Sequence, residues 1–463
     1  MSAKNTITRR AFLAATTTTA AALAGCATKP KAARVVPGKI SPNERVRVGL
    51  IGLGGRCKHL AGTCLGIPEM EIAAVCDCFQ PRVDAFLGSV GKDRSCKGYI
   101  DFLDMIEQEQ LDGVMVETTT HARAWVTCHA MAAGADVYIE KPMCLTIAEG
   151  RQMVKCARRH KRVTQVGTQQ RSIPMNNWAS DLVKNGAIGQ VEAVLAPNFI
   201  GPVRWAGKPA EEMPAGNEGW WDVWTNQVEM RPYRKELHYG WANWWAYDGG
   251  GRSFGVTGWG THSYDQIQRG LGTDCTGPVE VVLEEPLLDM PAGAFKERTP
   301  AENETGSPYY HMITRASGPR AKVLMRYANG TELRLYLDGD CSPGLGCIFV
   351  GEGGSIEINR DKIAADPPVL IQSPEAPPRL SVPETQPHIE NWLHCIKTRE
   401  TCNADIEYGQ RSSSLCYLVN IARDVGEVGK TLKWNPKKER FTNCPAGNKM
   451  LSRPRREGYE LPA

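Results

Sequence analysis

Arg45-Val46-Arg47-Val48-Gly49-Leu50-Ile51-Gly52-Leu53-Gly54-Gly55-Arg56-Cys57 decides the fold of the first part of this chain. Residues 45–51 form an apolar run of strand length, a tight glycine turn follows, and a helical pattern opens behind it. Glycine is needed there because the turn demands permissive backbone angles. Only a residue without a side chain also lets backbone N–H groups approach a pyrophosphate. Gly52, Gly54 and Gly55 suit those roles, whereas Cys57 stands where the fingerprint has its third Gly or Ala, so the match is imperfect taken alone.

The surroundings strengthen it. Glu71-Ile72-Ala73-Ala74-Val75-Cys76-Asp77 reads as a second strand ending in an acid about twenty-five residues on, near the spacing at which a carboxylate takes the adenosine ribose hydroxyls. Asp77 therefore points to NAD, and nearby Arg82 leaves NADP possible. Strand-like runs at 113–117, 136–140 and 163–167 alternate with helical patterns at 124–133 and 146–160. The expectation is an α/β, doubly wound parallel sheet, a Rossmann domain over 44–170. Ligands on such sheets lie at the carboxyl ends of the strands, which gathers Gly52, Asp77, Thr118, His121, Glu140, Lys141 and Gln169 around one crevice.

Further motifs follow in order: Glu140-Lys141-Pro142, Val166-Gly167-Thr168-Gln169-Gln170-Arg171, Trp221-Asp222-Val223-Trp224, Asp248-Gly249-Gly250-Gly251, Trp259-Gly260-Thr261-His262-Ser263-Tyr264-Asp265 and Pro454-Arg455-Arg456-Glu457-Gly458-Tyr459. In this order they resemble the bacterial, exported branch of the Gfo/Idh/MocA (glucose-fructose oxidoreductase-like) family. The resemblance implies a C-terminal α+β domain over 171–386, with an open, mostly antiparallel sheet whose face roofs the nicotinamide and commonly pairs with another subunit, giving a homo-oligomer. Residues 387–463 are then a helix and tail packing back on the body. Strand-like runs at 191–197, 279–283, 321–327, 331–337, 348–351 and 354–358 agree independently.

By the same resemblance Lys141 hydrogen-bonds the reacting hydroxyl and His262 is the proton acceptor. Asp265, one turn on, is the candidate to orient the His262 ring. Arg171, His238, Tyr239 and Trp259 are the candidate substrate contacts. An insertion over 202–252 is rich in Trp and Tyr, which suits the C–H faces and hydroxyls of sugars or, equally, serves as glue for a long loop. One departure stands out. Dehydrogenases of the family commonly place Asp four residues before the His, and this chain has Gly258, leaving Asp248, His238 or Tyr239 as replacements.

A formal net charge of +4 on 463 residues implies no nucleic-acid partner. Thr8-Arg9-Arg10-Ala11-Phe12-Leu13 is a twin-arginine pattern, and Leu23-Ala24-Gly25-Cys26 looks like a lipobox. Residues 1–26 therefore read as an export signal and 27–43 as a tether, giving a periplasmic or membrane-anchored lipoprotein whose membrane contact is a lipid on Cys26. The 16 cysteines are scattered through strands and helices, so buried free thiols are expected in place of a disulfide framework, and no spacing suggests a metal site. The functional expectation is an exported NAD(P)-dependent oxidoreductase on a sugar or polyol, with tightly bound cofactor and a redox-neutral cycle. The alternatives are an NAD-dependent glycoside hydrolase working by transient oxidation and elimination, and a non-catalytic glycan-binding lipoprotein.

Overall fold

The computed structural model describes residues 45–90, 96–252, 254–290, 318–337, 344–360 and 362–462. The leader, the tether and Cys26 lie outside them. The first domain runs β1 (Val46–Ile51), α1 (Gly55–Cys64), β2 (Met70–Cys76), α2 (Gln80–Val90), β3 (Lys97–Tyr99), α3 (Phe102–Gln108), β4 (Gly113–Val116), α4 (Thr120–Ala132), β5 (Asp136–Ile139), α5 (Ile147–His160) and β6 (Thr164–Val166). The strands form one parallel sheet in the order β3-β2-β1-β4-β5-β6. Helices cover both faces, so β4 and β5 are buried at every position and read as continuous apolar runs without alternation. α5 starts where the Thr146 side chain accepts from the Glu149 N–H, and it ends in Arg158, Arg159 and His160 before Lys161 turns left-handed at φ 52°.

The second domain contains α6 (Pro174–Lys184), β7 (Val191–Pro197), the short helices α7 (Trp220–Thr225) and α8 (Lys235–Gly240), and α9 (Trp259–Gly270). The strands β8 (Glu280–Leu283), β9 (Leu288–Met290), β10 (Gly318–Arg320), β11 (Val323–Arg326), β12 (Glu332–Leu337), β13 (Cys347–Gly351), β14 (Gly354–Ile358) and β15 (Ile363–Asp366) follow. Beyond them lie α10 (Thr385–Thr398), α11 (Ile406–Val425), β16 (Thr431–Asn435) and β17 (Arg440–Phe441). The large sheet is ordered β15-β14-β13-β7-β12-β11-β8-β16-β17, antiparallel throughout except for the β7–β12 pair.

Residues 387–463 do more than return to the first domain. α10 does so: Ile389, Trp392, Leu393 and Ile396 share a core with Val46, Val48 and Leu50 of β1. α11 is buried along most of its length between α5 and α9. β16 then joins the second domain's sheet against β8, with Leu432 and Trp434 turned inward. The helical reading of the stretch through Val425 is divided in two by residues 399–405. Every described cysteine is a free thiol, most of them buried.

A polar seam ties the segment just past β6 to α9 and α11. The Arg171 guanidinium donates to Asp265 of α9 (2.7 Å) and to Asp274 (2.7 Å), and both Arg171 and Asp265 side chains are almost fully buried. Ser412 of α11 donates to the other Asp265 oxygen (2.7 Å). Gln170 donates to the carbonyls of His262 and Leu345, and Asn176 to Gln266. Removing one partner of a buried ion pair strands the other charge. Arg171→Ala is therefore expected to lower the unfolding free energy by about 3–5 kcal/mol. Denaturant unfolding measures this, and a loss below about 1 kcal/mol would mean that the pair is surface-like in strength.

Candidate active site

Two adjoining cavities lie at the carboxyl edge of the parallel sheet. The first, with about 860 Å³ of empty space, is lined by Gly52, Gly54 and Gly55 of the glycine turn together with Asp77, Arg82 and Thr118. Gly52 takes φ +93°, and a Cβ there would lie 2.7 Å from the Thr118 amide nitrogen, so no other residue fits the turn. Asp77 closes the far end. It accepts from the Leu53 and Phe79 N–H groups at 2.9 and 3.0 Å, which ties the acid to the loop it serves. Burial pushes its carboxyl up, against the opposing pull of Arg82, whose Nη1 lies 3.9 Å away. A cradle that a methyl group would fill, with a carboxylate fixed at its end, fits a dinucleotide.

The second cavity, of about 1170 Å³, lies between the domains. Arg56, Glu117, Thr118 and Trp241 line both, so the two spaces adjoin. Around the second stand Lys141, His262, Asp248, Gln169, Trp259 and Glu140. Glu140 and Lys141 follow β5, and the Lys141–Pro142 peptide is cis. Glu140 takes Arg56 Nε at 2.6 Å and the Lys141 N–H at 2.9 Å. Burial works against its charge, but Arg56 and Lys141 outweigh it and hold the carboxyl below the usual range. Lys141 itself is brought down to about 8, chiefly by burial, with Glu140 and Asp248 opposing and Arg56 and Arg360 assisting. His262 lies well below its usual value for the same first reason, then because Lys141 and Arg360 face it, so its imidazole is neutral at pH 7.

The missing acid has a steric explanation. A Cβ at Gly258 would lie 2.0 Å from the Arg252 carbonyl oxygen and 2.8 Å from that of Gly251, so the glycine-rich insertion occupies the space an aspartate would need. Instead the Gly258 carbonyl accepts from Lys141 Nζ at 3.2 Å. Asp248, from the same insertion, enters the cavity with its carboxylate held by the hydroxyls of Thr120 (2.5 Å) and Thr257. Burial raises its carboxyl, and both hydroxyls, Arg123 and Lys141 pull the other way. A carboxylate thus lines the cavity from ten residues upstream of Gly258.

Other expected positions lie elsewhere. Asp265 does not orient His262: its oxygens are taken by Arg171 and Ser412, and His262 Nδ1 has no hydrogen-bond partner among the described residues. Arg171 is likewise spent on Asp265 and Asp274, and it lines neither cavity. His121 faces away from the groove, donating from Nε2 to the Trp224 carbonyl (2.7 Å) between the Trp224 and Tyr247 rings. His238 is buried among Phe79, Trp220 and Trp224 with its Nε2 3.2 Å from Arg82 Nη2, and Tyr239 lies outside over the Arg82 guanidinium. Both flank the Asp77 end of the groove, far from any role beside His262. Most of the insertion's rings bury one another, with Trp220, Trp221, Trp224, Tyr233 and Tyr247 in one cluster on Phe79. Trp241 is the exception that lines both cavities, and Trp259 lines the second.

Residues 46–168 match the oxidoreductase family's NAD-binding Rossmann fold, and residues 180–461 match that family's C-terminal alpha/beta domain. This chain belongs to the Gfo/Idh/MocA oxidoreductase family. Among curated relatives, a glycosyl hydrolase family 109 protein of Shewanella baltica is 26% identical over 216 residues, 43% of this chain and 45% of the relative. An inositol 2-dehydrogenase of Salmonella typhimurium is 27% identical over 150 residues, 31% of this chain and 43% of the relative. The matches thus span less than half the length of these relatives. Two solved structures share the fold. The aldose-aldose oxidoreductase of Caulobacter crescentus complexed with glycerol has a TM-score of 0.56 and 16% identity, covering 84% of this chain and 100% of that one. The WlbA dehydrogenase of Bordetella pertussis in complex with NADH and UDP-GlcNAcA has a TM-score of 0.56 and 16% identity, covering 85% and 99%.

The packing at Gly258 predicts that restoring the family's usual acid will harm this protein. Gly258→Asp is expected to cost about 1–3 kcal/mol of stability as an overpacked substitution. A denaturant midpoint that does not move would show that the 251–258 loop yields freely.

Proposed function

We propose that this chain is an NAD-dependent oxidoreductase acting on a hydroxyl of a sugar or polyol and retaining its cofactor through the cycle. The observation that carries the reading is the convergence of Lys141, His262 and Asp248 on one cavity that shares wall residues with the dinucleotide groove. NAD, when bound, supplies reversible hydride exchange with the carbinol carbon. Lys141 donates an N–H to the reacting oxygen and steadies the negative charge that develops there. His262, neutral because it is buried beside a cation, accepts the hydroxyl proton and returns it in reverse. Asp248 opposes the loss of the Lys141 proton, and Trp259 offers a ring to the C–H face of the substrate.

The twin-arginine and lipobox patterns of residues 1–26 place export within the same proposal. Outside the cytoplasm dinucleotide is not replenished, so the cofactor stays bound and each oxidation is balanced by a reduction before the next turnover. A second sugar can take up the electrons, or the substrate itself can. The latter is the NAD-dependent glycoside hydrolase, which the Shewanella relatives' name favours as a second reading. There Lys141 and His262 keep their roles, the oxidised ring carbon acidifies its neighbouring C–H, the glycosidic oxygen leaves, water adds and the carbonyl is reduced again.

The deciding experiment uses purified, dialysed protein. Heat release of NAD in stoichiometric amount is expected, followed by a change in nicotinamide absorbance or cleavage of a glycoside when a broad panel is added. Turnover in deuterated water that leaves deuterium on the carbon beside the oxidised one identifies the hydrolase, and unlabelled product excludes it. Silence across the panel removes both readings.

The pH dependence follows from the two site groups. kcat/KM is expected to fall as pH rises through about 8, where Lys141 loses its proton, and to stay level from 8 down to 6, since His262 is already neutral. Lys141→Met should lower kcat/KM by about 10²–10⁴-fold, the usual worth of a positioned proton donor. A profile that rises between pH 6 and 7 would mean that His262 titrates normally.

A further inference from the structure

Two departures from the dinucleotide fingerprint meet in space. Cys57, in the first turn of α1, stands where the fingerprint has its third small residue, and Glu117 directly follows β4. Cys57 is fully buried and Glu117 is 8% exposed. The Cys57 thiol lies beside the Glu117 carboxyl, and neither carboxyl oxygen has a hydrogen-bond partner among the described residues. A buried carboxyl left this open costs free energy unless something else completes it.

Its place in the sheet says what completes it. The order β3-β2-β1-β4-β5-β6 reverses direction between β1 and β4, and ligands of such sheets lie in the crevice at that switch. Gly52 ends the β1 side and Glu117 the β4 side, so close that a Cβ on Gly52 would lie 2.9 Å from the Glu117 carbonyl carbon. Glu117 lines both the groove and the catalytic cavity, at the point where a dinucleotide passes from one to the other. We propose that Glu117 is a cofactor-binding residue: its carboxyl O–H donates to the pyrophosphate–ribose segment of NAD at the β1/β4 switch, with the Cys57 thiol packed beside the carboxyl.

The charge balance around the site agrees. From α1, Arg56, Cys57 and Cys64 face Glu117; from β5 and the residues after it, Tyr138 and Glu140; from α4, Arg123. Arg56 is already engaged by Glu140, so of two neighbouring carboxyls one keeps the cation and the charge. Burial, with Glu140 adding to it, raises Glu117 to about 8 against the pull of Cys57, Arg56 and Arg123, which leaves a neutral donor at pH 7. An ionised Glu117 would instead repel the pyrophosphate.

NAD affinity should then depend on pH through this residue. NAD is titrated by calorimetry into charcoal-stripped protein from pH 6.5 to 9.5, in buffers of different ionisation heat. Wild type is expected to hold its Kd below pH 7.5 and to weaken towards tenfold per pH unit above about 8, with proton uptake approaching one per NAD. Glu117→Gln keeps an N–H donor and cannot ionise, so its Kd should lose that slope and its binding that proton uptake. Lys141 titrates in the same range but is present in both proteins, so the difference between the curves belongs to Glu117. Superimposable curves for wild type and Glu117→Gln overturn the assignment while leaving NAD binding intact. Failure of both proteins to bind NAD overturns it together with the oxidoreductase reading. Glu117→Ala, checked for folding by its melting curve, should lose about tenfold in affinity at pH 7, the worth of one hydrogen bond to a charged partner, and an unchanged Kd counts against the proposal.

Discussion

The buried ion pair between Arg171 and Asp265 is the constraint on which the site depends. It joins the turn after β6 to the middle of α9, and the same two segments carry Gln169 and His262 into the cavity. Charge pairs buried this deeply add little net stability, because desolvation offsets attraction, but they tolerate few alternative arrangements. Here the fixed arrangement places a histidine of one domain opposite a lysine of the other. Hydrogen bonds from Gln170 to the His262 carbonyl and from Asn176 to Gln266 extend the same seam on either side.

Within that frame the catalytic cavity is a problem of holding charge away from water. Buried Glu140, Asp248 and Glu117 sit with the part-buried Lys141 and Arg56, and these groups alter one another's proton affinity. The outcome is uneven. Glu140 keeps its charge because Arg56 lies against it, Glu117 loses its own, and Lys141 ends near neutrality of the medium where proton exchange is easy. A site that handles a proton and a hydride equivalent needs such separated values more than it needs strong acids or bases.

What was legible in the sequence was what depends on near neighbours. Gly52, Asp77, Glu140 and Lys141 lie at strand ends whose apolar runs announce themselves, and parallel strand ends converge without further information. Arg171 and Asp265 were read as working residues since both stand in motifs beside the site; that they neutralise each other is a contact between residues 94 apart in the chain, which no local pattern encodes. His121 and His238 were hidden similarly, because the rings that enclose them come from an insertion about a hundred residues from β4. Gly258 looked like a lost acid, and only the fold shows that Arg252 and Gly251 carbonyls fill its space while the Asp248 carboxylate lines the same cavity. β16 carried a fair signal, with Leu432 and Trp434 alternating against Thr431, Lys433 and Asn435, but its place as a sheet neighbour of β8 follows from long-range pairing.

That pairing has a consequence for synthesis. β8 lies between β11 and β16, so the second domain's sheet cannot be completed until about a hundred and fifty residues after β8 have emerged. α10, which caps the first domain's sheet, arrives almost as late. Contacts so distant in sequence make folding slow and leave apolar faces waiting. The nascent chain therefore carries apolar faces of both domains that are covered only as its last third emerges.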